Sequence, residues 1–503
     1  MAAAFGAMGL CVFLFIRYWP FDEQSVLENL REAGDSQVKV RTFRHKFFPY
    51  PGCELDGVVF TRGTATKPLI AIEKVTIQAT YAGILAHHLS RITAEGMRVT
   101  IPPFGSAPPF HTTRSEITIG EIVAKDATLE FQLRDSNKEP LRFEIHQASL
   151  QNVGWKNPFS YRLKLHNPQP PGEIESEGKF GVWNQGNAGQ TPLSGEYKFQ
   201  QADLSVYRGI SGMLSSTGKF GGNLGHIDVS GTTDTPDFTV NQGGHAVHLT
   251  TQFAAYVDGT KGDTFLKSVD AHFRKTRVLA AGSIAKAAND SRRVALLDLS
   301  AEHGRIEDIL LLFVKKDRPP MSGDVTLTAN VQLPSGDEPF LKRVRLQGRF
   351  GIGAGKFSKP STQEGVNKLS AGGRGEKDPA DPETALTDLT GRTELANGTA
   401  TLSDLSFGVP GAAARMRGTY GLIDHKIDLR GQLQVDSKIS NTTSGMKALL
   451  LKMMDPFFKK RKKGEILPVR ISGTYEHPSF GLAIEDEKAE HVPAPKHKPA
   501  RPL

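Results

Sequence analysis

The residues that could do chemistry in this chain do not form a known catalytic or metal-binding arrangement. A phosphate-binding loop requires Ser or Thr after its Gly-Lys pair, but Phe220 follows Gly218 and Lys219. The adjacent His87 and His88 lack a nearby carboxylate in the sequence that could complete a metal site. We therefore predict that the protein is not an enzyme and that it uses no metal and no cofactor.

One basic segment has a pattern with a physical mechanism. Residues 446–463 combine a face of Leu, Met and Phe side chains with a run of five cations. The cations are Lys459, Lys460, Arg461, Lys462 and Lys463. An apolar face beside a basic run is typical of a helix that lies on an anionic membrane surface. The alternative is a helix over residues 444–463 that caps the apolar end of a sheet, with its cations in solvent. The two roles are compatible.

The elements that position these residues are predicted to be mostly strands. Apolar and polar residues alternate strictly in residues 127–134, 141–146, 161–166, 324–333 and 426–436. Strict alternation predicts strands with one buried face and one wet face. We expect about 25–30 strands of this kind and too few helices to cover them.

The apolar face of such a sheet must be shielded from water. Either it closes on itself as a sandwich or barrel, or it curls into a trough whose lining is covered by something else. The candidate lining residues are Leu129, Phe131, Leu133, Phe143, Ile145, Val325, Leu327, Leu429 and Leu433.

A short motif that places a glycine two residues before an aromatic residue recurs along the chain. The pairs are Gly178 and Phe180, Gly195 and Tyr197, Gly218 and Phe220, Gly348 and Phe350, Gly418 and Tyr420, and Gly473 and Tyr475. Their irregular spacing excludes a propeller or solenoid of fixed period. Hairpins of variable length in one continuous antiparallel sheet fit the pattern better.

Few segments of the sequence predict other structure. We expect short helices over residues 25–34, with Ser25 as the cap, and over residues 305–314. The expected organisation is an anchor (1–20), a β-rich groove (21–357), a flexible loop (358–386), a β-rich C-terminal part (387–484) and a disordered tail (485–503).

The composition of the 503 residues agrees with a β-rich chain. The 51 glycines and 30 prolines disfavour a mostly helical protein, and two cysteines exclude a disulfide scaffold. A hydrophobic content of 38% is too high for a disordered chain. A net charge of +8, spread over this length, indicates no nucleic-acid partner.

The first twenty residues predict a membrane anchor. Residues 1–16 are uncharged, and Arg17, Tyr18 and Trp19 follow at the position of an interfacial belt. A cleaved signal peptide, a lipoprotein signal at Cys11 and a buried helix are the alternatives. The cleaved peptide lacks a small-residue cleavage site after the apolar run, and the lipoprotein signal has the bulky Leu10 where a small residue is required. We expect an uncleaved single-pass anchor in the inner membrane, with the bulk of the chain in the periplasm.

Several stretches resemble the AsmA-like family of bacterial envelope proteins. They are residues 47–53 (Phe-Phe-Pro-Tyr-Pro-Gly-Cys), 167–174, 230–238, 407–411, 417–420, 451–458 and 471–480. The resemblance implies a bridge-like lipid transfer architecture, in which an elongated antiparallel sheet curls into a U-shaped hydrophobic groove for acyl chains. It carries over no catalytic residue.

Two functions follow as expectations. The first is a conduit that shields phospholipid acyl chains between envelope membranes, with the inner membrane and an outer-membrane or envelope protein at the far end as partners. The second is a non-enzymatic assembly or scaffold factor with a closed β core. The two differ in whether a lipid can reach the apolar face.

Overall fold

The structure, a computed structural model, describes most of the chain. The described residues are 21–34, 36–61, 68–101, 117–132, 140–154, 156–184, 186–207, 209–240, 244–286, 293–313, 319–336, 338–358, 387–409, 412–435, 466–474 and 478–482. Strands account for 73% of them, which confirms a mostly β fold. The predicted anchor (1–20), most of the predicted loop (358–386), the predicted helix (444–463) and the predicted tail (485–503) lie outside the described residues.

Helices are short and few within the described ranges. They are α1 (Glu23–Gly34), α2 (Tyr81–Leu85), α3 (Ile306–Leu311) and α4 (Phe340–Arg343), with 3-10 turns at Ala188–Gln190 and Leu204–Val206. α1 and α3 confirm the two helices predicted in this part of the chain. The predicted cap of α1 is wrong, because α1 begins two residues before Ser25. The Asp22 carboxylate instead accepts a hydrogen bond from the Ser25 backbone N–H at 3.2 Å.

Twenty-five strands lie within the described residues. They are β1 (Gln37–Lys39), β2 (Thr42–Lys46), β3 (Gly52–Thr61), β4 (Ile70–Ala79), β5 (His88–Ile101), β6 (Thr118–Phe131), β7 (Leu141–Val153), β8 (Phe159–Pro168), β9 (Pro171–Phe180), β10 (Pro192–Asp203), β11 (Ile210–Ser211), β12 (Met213–Asn223), β13 (His226–Val240), β14 (Val247–Asp258), β15 (Asp263–Phe273), β16 (Thr276–Lys286), β17 (Arg293–Arg305), β18 (Met321–Pro334), β19 (Arg345–Phe357), β20 (Thr387–Ala396), β21 (Thr399–Val409), β22 (Ala412–Gly421), β23 (Lys426–Val435), β24 (Ile466–Thr474) and β25 (Pro478–Leu482). Residues 141–146, 161–166 and 324–333 lie within β7, β8 and β18. Of the other two alternating stretches, residues 127–131 lie in β6 and residues 426–435 in β23; residues 133–134 and 436 are outside the described ranges.

The chain divides into two compact units. The first unit comprises residues 1–241, 246–274 and 280–291, and the second comprises residues 242–245, 275–279 and 292–503. The first unit therefore holds β1–β15, and the second holds β17–β25.

In the first unit, most strands pair with the next strand in the sequence. β6 through β10 form consecutive antiparallel pairs, and β12 through β15 do the same after β10 pairs with β12. β5 and β6, however, are parallel, with His88 opposite Thr118 and Ile101 opposite Phe131. The prediction of a wholly antiparallel sheet is wrong here. The connection over residues 102–117 is long enough to return the chain to the start of a parallel neighbour.

The first unit begins with a dry core beneath α1. Val26 on α1 packs with Phe21, Leu55 and other buried side chains of β1, β3 and β4. Cys53 on β3 is completely buried in the same cluster, and burial raises the pKa of its thiol to about 12. A single layer of sheet gains a closed core where a helix covers it.

In the second unit, β17 through β25 form one series of antiparallel neighbours. Each strand pairs with the strand that follows it in the sequence. α3 follows β17 directly and contributes a buried carboxylate, Asp308. This carboxylate accepts hydrogen bonds from the Lys275 backbone N–H and from the Thr276 hydroxyl, each at 3.0 Å. The carboxylate therefore fixes α3 to the start of β16.

Replacing Asp308 with Ala is expected to destabilise the second unit by about 1–3 kcal/mol, because two partly or fully buried donors lose their acceptor. Urea unfolding followed by far-UV circular dichroism measures the change. Glu302→Ala is the control, since Glu302 is exposed on β17. Equal unfolding midpoints for the two variants would contradict this role of Asp308.

Candidate functional site

The candidate functional site is the apolar face of the strands in the first unit. Ten hydrophobic side chains are buried in the core under α1. Between Ala127 and Ala202, by contrast, no hydrophobic side chain of the described residues is buried. The apolar positions of β7–β10 alternate as the sequence predicts, yet they are only half-covered. The difference arises because no helix of the described residues packs over these strands as α1 does over β3 and β4.

Cross-strand register makes this apolar face continuous. One row of opposed positions runs through Tyr161, Gly178, Gly195, Phe220, Val229 and Ala255 on β8, β9, β10, β12, β13 and β14. Ala255 is buried and the other five residues are half-buried. The face therefore extends across at least six neighbouring strands without a charged side chain in this row.

The register also brings together most of the predicted lining residues of the first unit. Leu129 on β6 lies opposite Phe143 on β7, and Ile145 lies opposite Ala127. The rings of Phe131 and Phe143 meet edge to face, with centroids 5.6 Å apart. Leu129, Phe131, Phe143 and Ile145 are all half-buried. Leu133 lies outside the described residues.

The recurrent glycine and aromatic pairs have a packing function that the sequence did not reveal. The ring of Tyr197 lies over Gly218 on the next strand, where a Cβ atom would come within 2.7 Å of Cε1. A Cβ on Gly195 would likewise meet Tyr161 Oη at 2.8 Å and Phe220 Cζ at 2.9 Å. Glycine therefore makes room for an aromatic ring of the neighbouring strand or, for Tyr161 over Gly195, of the next strand but one, and the rings shield the exposed backbone.

The same packing occurs in the second unit. A Cβ on Gly391 of β20 would come within 2.9 Å of the Phe350 ring on β19. The spacing of two residues puts the glycine and the aromatic of one motif on the same face. The two-residue spacing is therefore the sequence signal for this packing. It does not identify which glycine each ring covers, because that depends on the cross-strand register.

The opposite face of the first unit is charged. Three ion pairs join neighbouring strands: Arg162 to Glu177 (3.2 Å), Lys164 to Glu175 (3.0 Å) and Lys219 to Glu196 (2.9 Å). A fourth joins Lys267 on β15 to Asp228 on β13 (2.6 Å), across β14. The hydrogen bond from Lys267 lowers the pKa of the Asp228 carboxyl group. These strands thus separate an apolar surface from a charged, solvated one.

The predicted lining residues of the second unit differ in exposure. Val325 on β18 is only 2% exposed, so it belongs to the core of this unit rather than to an open surface. Leu327 is half-buried opposite Phe350, and Leu429 is half-buried between Gly418 and Ile471. Leu433 lies opposite Ala414 and Leu467 in the register. Leu327 and Leu429 lie on strands that are not neighbours, β18 and β23.

Other predicted features fall outside the described ranges or find no counterpart within them. The five cations of residues 459–463 are not among the described residues. In the part of the chain that is described, no group of His, Cys, Asp or Glu side chains is arranged to hold a metal ion. No helix of that part has both the length and the apolar character needed to cross a bilayer.

Comparison with known proteins gave no relatives. No protein-family model matches the chain, and neither the curated proteins nor the solved structures contain a significant match.

Proposed function

We propose that the protein is a membrane-anchored lipid-transfer protein of the cell envelope, which shields phospholipid acyl chains along a hydrophobic β groove. The observation that carries this proposal is the continuous apolar face of the first unit, whose side chains are only half-buried from β7 to β10. An ordered sheet with such a face needs an apolar cover.

An acyl chain suits this surface for a physical reason. Each methylene group removed from water contributes about 0.8 kcal/mol, so a chain laid across several strands gains substantial free energy. The charged opposite face keeps the sheet soluble while one face is occupied by lipid. At Gly195 and Gly218 an aromatic ring occupies the space that a side chain would need, so these positions add an apolar ring surface rather than a side chain of their own. Such an apolar surface holds an acyl chain without fixing it at one position.

The proposed location follows from the sequence. Residues 1–20 would hold the protein in the inner membrane, and the two β units would lie in the periplasm. The groove would conduct phospholipid between envelope membranes and meet an outer-membrane or envelope protein at its far end. The resemblance to the AsmA-like family supports this arrangement.

Native mass spectrometry of the purified full chain tests the proposal. We expect phospholipid to copurify and to be displaced by fluorescent fatty acid. A protein that carries no lipid and takes up none from vesicles would contradict the proposal. The second candidate, a scaffold with a closed β core, is favoured by the dry cluster under α1. It predicts a lipid-free protein that captures envelope proteins.

The basic segment gives a separate prediction. Changing Lys459, Lys460, Arg461, Lys462 and Lys463 to Gln should weaken binding to anionic vesicles and remove its salt dependence. Each cation near such a surface contributes on the order of 1 kcal/mol. Cosedimentation with vesicles at two salt concentrations measures the effect. Unchanged binding would assign the segment a capping role only, because the substitutions leave its apolar face intact.

A further inference from the structure

Five large apolar side chains are exposed on two segments near the start of the first unit, and a hydrogen bond joins the segments. Phe47, Phe48 and Tyr50 lie between β2 and β3, and Tyr81 and Leu85 belong to α2. Phe48 is 85% exposed and Leu85 is 86% exposed, the two highest values among the large hydrophobic residues of the described ranges. We call this cluster the aromatic tip.

The aromatic tip stands on a tightly packed base. The Tyr81 hydroxyl donates a hydrogen bond to the Phe47 carbonyl at 2.6 Å and so joins α2 to the loop. Behind it, the Ala79 N–H donates to the Pro51 carbonyl at 2.8 Å, and both of these residues are buried. The exposed side chains are therefore held outward by an ordered frame. Water-exposed aromatic rings on such a frame indicate an interaction surface.

The aromatic tip also lies next to the point where the predicted anchor joins the fold. Phe21, the first described residue, is buried in the core under α1. Its carbonyl accepts a hydrogen bond from His45 Nδ1 at 3.1 Å. The His45 ring in turn stacks on Phe47, with centroids 6.0 Å apart. One stacked ring thus separates the exit of the anchor from the aromatic tip.

We propose that the aromatic tip inserts into the interfacial layer of the bilayer that holds the anchor. Tyrosine favours this layer because its ring is apolar and its hydroxyl is polar, and phenylalanine and leucine side chains insert on the apolar side of the layer. We expect an apolar rather than an electrostatic contact, because the two cations of the adjoining strand β2 are paired with carboxylates. Lys46 Nζ lies 2.5 Å from Glu54 Oε1, and Arg44 Nη2 lies 2.9 Å from Asp56 Oδ2. Insertion would fix the beginning of the sheet against the membrane, where a lipid could enter.

The inference rests on the anchor of the proposed function, and a depth-dependent fluorescence measurement tests it. The full chain, with Cys11→Ser, carries Phe48→Cys labelled with an environment-sensitive fluorophore. It is reconstituted into vesicles of phosphatidylethanolamine and phosphatidylglycerol with brominated chains. Ser194→Cys is the matched control, because Ser194 is exposed on the charged face of β10 in the same unit. Buried Cys53 is not expected to label in the folded protein.

We expect a blue-shifted emission at position 48 and quenching several-fold stronger than at position 194. Leu85→Cys should behave like Phe48→Cys, and the quenching should persist at high salt, since apolar contacts are not screened. If the protein floats with the vesicles but position 48 is quenched no more than position 194, the insertion of the aromatic tip is contradicted, whereas the membrane anchor is supported. If the protein does not float with the vesicles, the anchor and the docking are both overturned.

Discussion

A Leu193→Asp variant is expected to fold and to lose bound phospholipid by about tenfold or more. Leu193 lies on the apolar face of β10, opposite Phe180 and Gly222, and it is half-buried. A carboxylate there keeps about two methylene groups of an acyl chain out of contact, at about 0.8 kcal/mol each. Water reaches a half-buried position, so the carboxylate can remain solvated and the sheet can remain folded.

The adjacent residue provides the matched control. Ser194 is exposed on the opposite face, where it lies opposite Lys179. Ser194→Asp therefore adds the same charge to the same strand without touching the apolar face, and lipid content should not change. Native mass spectrometry and thermal unfolding are measured on both variants. A folded Leu193→Asp protein with normal lipid content would contradict the groove. Unfolding by this single change would instead indicate a closed core.

The largest effect on stability is expected for Gly52→Ala. Gly52 begins β3 beside buried Pro51 and Cys53, and a Cβ atom at this position would overlap the backbone carbonyl of Ile77 on β4. Relief of this overlap requires separation of two paired strands in the core under α1. We expect a destabilisation of about 3 kcal/mol or more.

Thiol reactivity reports this change locally. Burial and a pKa of about 12 make Cys53 unreactive in the native state, so its reaction with a disulfide reagent at pH 8 measures opening of this core. In a Cys11→Ser background, Gly52→Ala should accelerate the reaction strongly. Gly221→Ala is the control, because a Cβ there makes only ordinary contacts, at 3.8 Å from Ser194 Cβ. Equal rates for the two variants would show that β3 and β4 tolerate the overlap.

The alternation of residues was sufficient to predict the strands but not their neighbours. The period-two patterns fall in β8 at residues 161–166 and in β23 at residues 426–435, because one face of a strand prefers apolar side chains wherever the sheet is partly covered. The parallel pair of β5 and β6 had no such signal. A long connection permits a parallel neighbour but does not require one, since the longer connection between β19 and β20 joins antiparallel strands.

The degree of cover could not be predicted from the sequence either. Val325 and Leu429 are both apolar residues of strands whose sequences alternate, yet Val325 is buried and Leu429 is half-buried. Burial depends on what packs above a strand. Val325 contacts the region of Gly304 just before α3, where a Cβ on the glycine would come within 3.1 Å of Val325 Cγ1. An identical pattern therefore gives a core residue in one strand and an open surface in another.

The pairing of consecutive strands has a consequence for how a protein of this kind folds and changes length. From β17 to β25 every described strand hydrogen-bonds to its neighbours in sequence, so each hairpin carries its own contacts. Stability in such an array is a sum of nearest-neighbour terms, and folding can begin at many hairpins and spread. Adding or removing one hairpin would lengthen or shorten the ladder by about 10 Å and leave the other pairs unchanged. Evolution can thus adjust the span of this sheet in steps of two strands, as it adjusts solenoids by whole repeats.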